Sequence, residues 1–215
     1  MHLHRSFVPG VALLALAATC LRSQELLDQI AGRVEGDIIL LSEVRTLSRY
    51  QMLVDGKSES NAAILDRLID QWIVRSEADT ARFPHPTDVE ITHGVEHLQA
   101  SFALPEEYEG RKKQSELSDK EIRRMVTAQL YLSNYLDSRF RPAVQVDAKQ
   151  VEDFYQQSVV SRAKAHNQAP PPLDASREYI QEALVQRGIN VQADVWLKES
   201  RARLHVEKFL KESGR

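Results

Sequence analysis

The stretch that most restricts this chain is Gln29 to Val44, which reads as a β-hairpin running straight into a helix. Ile30 and Val34 fall at even spacing, Glu35-Gly36-Asp37 supplies the positive φ of a tight turn, and Ile38 to Leu41 is an aliphatic return strand. Ser42 then offers an N-cap hydroxyl, and Glu43 complements the positive end of the helix. A lone two-stranded hairpin is marginal in water, so these strands need a partner. The only other good strand candidate is at the far end of the chain, Arg203 to Phe209, with Leu204 and Val206 on one face. Everything between reads as helix. The expectation is therefore a mainly α fold, a multi-helix body closed by a small sheet formed by an N-terminal hairpin and a C-terminal strand.

With 215 residues, 42% of them hydrophobic, the chain can bury a substantial core. Residues 1–23 are set apart from it. His2, His4 and Arg5 lead into an apolar run from Phe7 to Ala18, which reads as a secretory signal and is too short to span a bilayer. This places residues 24–215 in one domain, with no transmembrane segment once the signal is removed. Cys20 is the only cysteine, so an intramolecular disulfide is ruled out. It lies beside or within the signal, and a lipidated Cys20 is the alternative. A net charge of −3 and a pI near 6.2 give no electrostatic footprint for nucleic acid. Arg111-Lys112-Lys113 is read as a solvated helix face.

Helical periodicity accounts for the middle of the chain. Val44, Leu47 and Val54 mark a first helix that breaks at Asp55-Gly56, and Ile64, Leu65, Leu68, Ile69, Trp72 and Ile73 mark a second. Trp72 is expected in the core, and Pro84-His85-Pro86 to end that helix. Thr87 to Glu90 and Ser118 to Glu121 are capping boxes. The first opens a helix with Ile91, Val95, Leu98 and Phe102 on one face. The second opens a longer one lined by Ile122, Met125, Val126, Ser133, Leu136 and Phe140. A short helix from Asp147 carries Val151, Phe154 and Tyr155. Residues 161–175, with three successive prolines, read as a linker or exposed loop. A last helix spans roughly Ser176 to Arg201, with Gly188 as a weak point.

Chemistry-bearing motifs are scarce. His93-Gly-Val-Glu-His97 fits the H-x-x-E-H zinc pattern, but at about 100° per residue both histidines fall opposite the apolar stripe of their helix. No metal or other cofactor is expected. The sequence has no Gly-rich phosphate loop and no Gly-x-Ser-x-Gly elbow, and nothing in it marks a catalytic centre. Tyr131 and Tyr135 stand one turn apart, opposite the aliphatic stripe of their helix. Two readings are open: a second layer of helices covers them, or they form an exposed aromatic patch for apolar polypeptide segments, extended by Met52, Phe102 and Tyr108.

The order of segments resembles the N-terminal domain of SurA-like periplasmic chaperones. The matching pieces are the hairpin Ile30 to Leu41 with Ser42-Glu43-Val44, the helix Ile64 to Val74, Thr87 to Glu90, and Ser118 to Ile122 with its long helix. Val144 to Tyr155 resembles the segment that in this family leads to a parvulin-type prolyl isomerase domain. Trp196-Leu197 and Arg201 to Glu207 resemble the return from it. Between the two, only a Pro-rich stretch remains, too short for a domain of roughly a hundred residues. The resemblance thus implies the chaperone module without the isomerase: an ATP-independent holdase for unfolded or outer-membrane polypeptides in the periplasm. An envelope scaffold with one fixed partner is the alternative, and prolyl isomerisation is not expected.

Overall fold

The computed structural model describes residues 28–210, so the expected signal and Cys20 lie outside the described residues. β1 (Ile30–Val34) and β2 (Asp37–Leu40) pair antiparallel, with Val34 opposite Asp37. Glu35 and Gly36 between them have φ of 49° and 98°, the two positive values of a type I′ turn, whose twist matches that of the strands. β3 (Val206–Lys208) pairs antiparallel on the other side of β1, giving the order β2-β1-β3. The Glu35 amide donates to the His205 carbonyl at 3.0 Å, and the Phe209 amide to Ala31 at 2.9 Å. The hairpin does find its third strand 170 residues downstream.

Helix entry after the hairpin differs from expectation. α1 (Leu41–Asp55) starts two residues early, with Leu40 in the cap position; Ser42 is already helical and caps nothing. Its work falls to two carboxylates: Glu43 accepts from the Leu40 amide at 2.8 Å and Asp28 from the Ser42 amide at 3.2 Å. The other caps follow the sequence. Ser60 opens α2 (Asn61–Thr80), Thr87 and Glu90 cap α3 (Asp88–Ala100), and Ser118 and Glu121 cap α5 (Asp119–Phe140). α2 ends ahead of the prolines. Arg82 turns left-handed, with φ 52°, and the Phe83 amide closes on the Ala78 carbonyl at 2.9 Å. α4 (Pro105–Ser115) fills the segment between α3 and α5.

Three apolar clusters hold the body together. Under the sheet, Val34, Ile39, Val44, Leu47, Ile64, Leu65, Ile69 and Ile73 pack together. Ile64, Leu65 and Ile69 keep no exposed surface, and each contributes about 1.5–3 kcal/mol of hydrophobic stabilisation. Trp72 is half-buried against this cluster and donates its indole N–H to Asp37 at 2.9 Å. A second cluster joins α1, α3, α4 and α5 through Tyr50, Leu53, Leu98, Tyr108, Leu117, Ile122 and Val126. The third joins α2 to α5 through Val74, Ala78, Tyr131 and Tyr135. Val54, expected on the packed face of α1, is exposed.

Beyond α5 the chain leaves the body. α6 (Ala148–Phe154) passes without a break into a π-helical turn (Tyr155–Val160) and then α7 (Ser161–Ala165). After a Pro-rich crossing at 166–172, α8 (Leu173–Arg201) returns, about 43 Å long at 1.5 Å per residue. Its second half packs on α2 and α5, while its first half packs on α6 and the π turn as an arm. Residues 161–175 are therefore not one loop: helix occupies their first five positions and their last three. Arg141 ties the arm to the body, bonding Asp137 at 2.8 Å and Glu182 at 2.7 Å. Among the described residues no helix is long and apolar enough to cross a membrane.

Candidate functional site

The five residues grouped as an exposed surface in one of the two readings do not come together, and the other reading, a covering layer of helices, is the one observed for Tyr131 and Tyr135. Tyr131 and Tyr135 are each 5% exposed and Tyr108 is 4% exposed, so the open patch is corrected to interior packing. The reason lies in α5. Ile122 and Tyr131 are nine residues apart, about 900° of helix or half a turn in register. The helix accordingly buries Ile122 and Val126 in the second cluster, and the tyrosines, on its opposite side, in the third. Ser133, read as part of the aliphatic stripe, is exposed.

Both tyrosines keep their hydroxyls partnered, which is what makes their burial tolerable. Tyr131 donates to Asp79 at 2.7 Å; burial first, and then this carboxylate, push its pKa up to about 12. The Tyr135 hydroxyl accepts from Arg139 at 2.9 Å, and the same guanidinium stacks 4.8 Å over Trp196 of α8. Phe83 packs edge-on to Tyr135 with centroids 5.6 Å apart. The covering layer is thus the end of α2 with Phe83, together with α8. Tyr108 meets a half-buried Phe102 edge-on at 5.4 Å, and Arg111 lies over the Phe102 ring. Met52, on α1, is half-buried and belongs to neither group. His93 and His97 are exposed on the face of α3 away from Ile91 and Leu98, as their spacing requires.

The surface feature of greatest chemical interest is in the arm. A groove of about 520 Å³ runs between the helix through the π turn, the Pro-rich crossing and the start of α8. One wall is a single row: Phe154, Ser158, Val159, Arg162, Ala163 and His166. An unbroken α-helix would spread these six residues over half its circumference. At about 100° per residue, Ala163 would point some 180° away from Phe154. The wider winding of the π turn, with its i to i+5 bonding, brings the residues after it back to the same side.

The opposite wall is Pro171 with Ala175, Ser176 and Tyr179 from the first turns of α8. Tyr179, 74% exposed, is a large apolar surface offered to solvent at the rim. The two walls are pinned together: the Tyr155 hydroxyl donates to the Pro171 carbonyl at 2.7 Å, and the Gln168 amide to Ala163 at 2.9 Å. In the sequence Phe154 and Tyr155 stood out only as apolar helix positions, Pro171 only as part of a linker and Ser176 only as a helix start. A second groove of similar volume, between α1, α3 and α5, has an apolar floor of Leu98, Val126 and Leu130. It adjoins Tyr50, whose hydroxyl donates to Gln129 at 2.9 Å.

Both grooves are open to solvent. No cluster of His, Cys, Asp and Glu suited to a metal ion occurs among the described residues. No protein-family model matches the chain, and no curated protein matches it.

Proposed function

We propose that the protein is an ATP-independent holdase that takes apolar segments of unfolded envelope polypeptides into the groove of its arm. The observation that carries this reading is the single row of side chains produced by the π turn, facing Tyr179 across an open channel. π turns of this kind recur at functional sites. A channel of this volume, open along one side and lined by both apolar and small polar groups, fits a few side chains of an extended chain better than an enclosed metabolite. The resemblance of the segment order to SurA-like chaperones and the leader read at residues 1–23 support a periplasmic client set. The alternative, a scaffold holding one fixed partner, uses the same surface.

The experiment is suppression of aggregation with purified protein and several unrelated unfolded clients. A holdase suppresses all of them, a scaffold none. Tyr179→Ala, at an exposed position, leaves the melting temperature within the small range of surface changes and weakens suppression severalfold. Undiminished suppression by that variant removes the arm groove from the site.

A further inference from the structure

The groove also carries a charge pattern that says which apolar segments it accepts. Among its twelve lining residues the ionisable groups are Arg162, His166 and Tyr179, with no carboxylate. Arg162 is exposed, stands in the same row as Phe154 and Val159, and forms no ion pair with a described residue. Of the carboxylates nearest in sequence, Asp174 pairs with Arg177, Asp153 pairs with Lys149 and Glu152 accepts from Gln156, while Glu178, beside Tyr179, is not among the lining residues. Ser158, Ser176 and Gln168 add neutral hydrogen-bonding groups along the channel. In a chain of net charge −3, this apolar channel has a fixed positive charge at its wall.

We infer that the groove prefers apolar or aromatic segments flanked by a carboxylate, with Arg162 as the residue that selects them. This rests on the holdase reading and refines it. A guanidinium gives a carboxylate a forked pair of hydrogen bonds that a neutral flank cannot supply, and it repels a lysine. Because Arg162 is exposed, the preference is modest and falls as salt screens it. Charge of this kind sets specificity and encounter rate more than it sets affinity.

The test is fluorescence anisotropy with three labelled peptides that share one aromatic and aliphatic core and differ only in flanks: two Glu, two Ser or two Lys. At low salt the Glu-flanked peptide should bind about threefold to tenfold more tightly than the Lys-flanked one. The Arg162→Glu variant should reverse that order with an unchanged melting temperature. Equal affinity for all three peptides overturns the charge selection and leaves the holdase reading standing. No binding of any of them overturns both. A Glu preference that persists in the variant places the anion site outside this groove and overturns the assignment to Arg162.

Discussion

Tyr131 and Tyr135 show how one side chain can satisfy two opposite readings until its neighbours are known. A tyrosine on the polar side of an amphipathic helix is an ordinary surface residue if nothing covers it, and a core residue if a second layer does. Here Asp79 and Arg139 receive the two hydroxyls, and Phe83 and Trp196 receive the ring surface. Arg139 is one turn along α5 itself, but none of the other three is marked in the sequence as a partner for that helix, because the spacing of a helix says which residues share a face but not what lies against it. Replacing both tyrosines by Ser should therefore destabilise the protein by several kcal/mol, of the order of ~3–5 kcal/mol for a single large aromatic truncation. The loss comes from cavity formation and from leaving the Asp79 carboxylate and the Arg139 guanidinium without their hydroxyl partners. Urea melts of the double variant measure it, and a midpoint close to that of the parent protein would return the pair to the surface.

At the scale of elements, capping residues and periodicity carried most of the fold. The Thr87 and Ser118 boxes begin their helices where the sequence puts them, and the stripe Ile64 to Ile73 faces the sheet. Two elements escaped that treatment for physical reasons. Gly188 reads as a weakness in a helix, yet a Cβ there would stand 2.6 Å from Val144 Cγ1, so its lack of a side chain is what lets the extended segment after α5 cross α8. The π turn left no mark either, since periodicity tests assume a constant angle per residue and the π turn changes that angle. The register it sets can be broken by inserting one alanine after Gln157, an exposed residue inside it. One added residue should turn Arg162 and Ala163 by about 100° relative to Phe154, out of the groove. Client binding should fall at least as far as in Tyr179→Ala, with the body's thermal transition unmoved. An insertion that binds clients like the parent protein would show that the row is not the binding wall.

For the whole molecule, the two ends of the described chain are one structural unit and the arm is another, and they should respond to truncation in opposite ways. β3 gives the outer side of β1 its hydrogen-bonding partners, while Leu204, Val206 and Leu210 pack against the cluster beneath the sheet. Arg201 adds ion pairs to Asp66 and Asp70 of α2. Stopping the chain before Arg203 leaves those ion pairs possible but strips β1 to a bare hairpin and removes Leu204, Val206 and Leu210 from the cluster beneath the sheet. Several apolar side chains at about 1.5–3 kcal/mol each are comparable with the whole ~5–15 kcal/mol margin of a domain this size, so the truncated protein should be largely unfolded at room temperature. Replacing 162–174 by a short Gly-Ser link removes no part of any of the three body clusters. Loop length enters stability only logarithmically, so the body should melt within a few degrees of the parent protein while client binding is lost. Calorimetry of the two truncations side by side makes the comparison. A folded protein without its tail would mean that the helices alone suffice and the sheet is an accessory. A body that collapses when the arm tip is removed would mean that the arm, and the groove with it, belongs to the core fold.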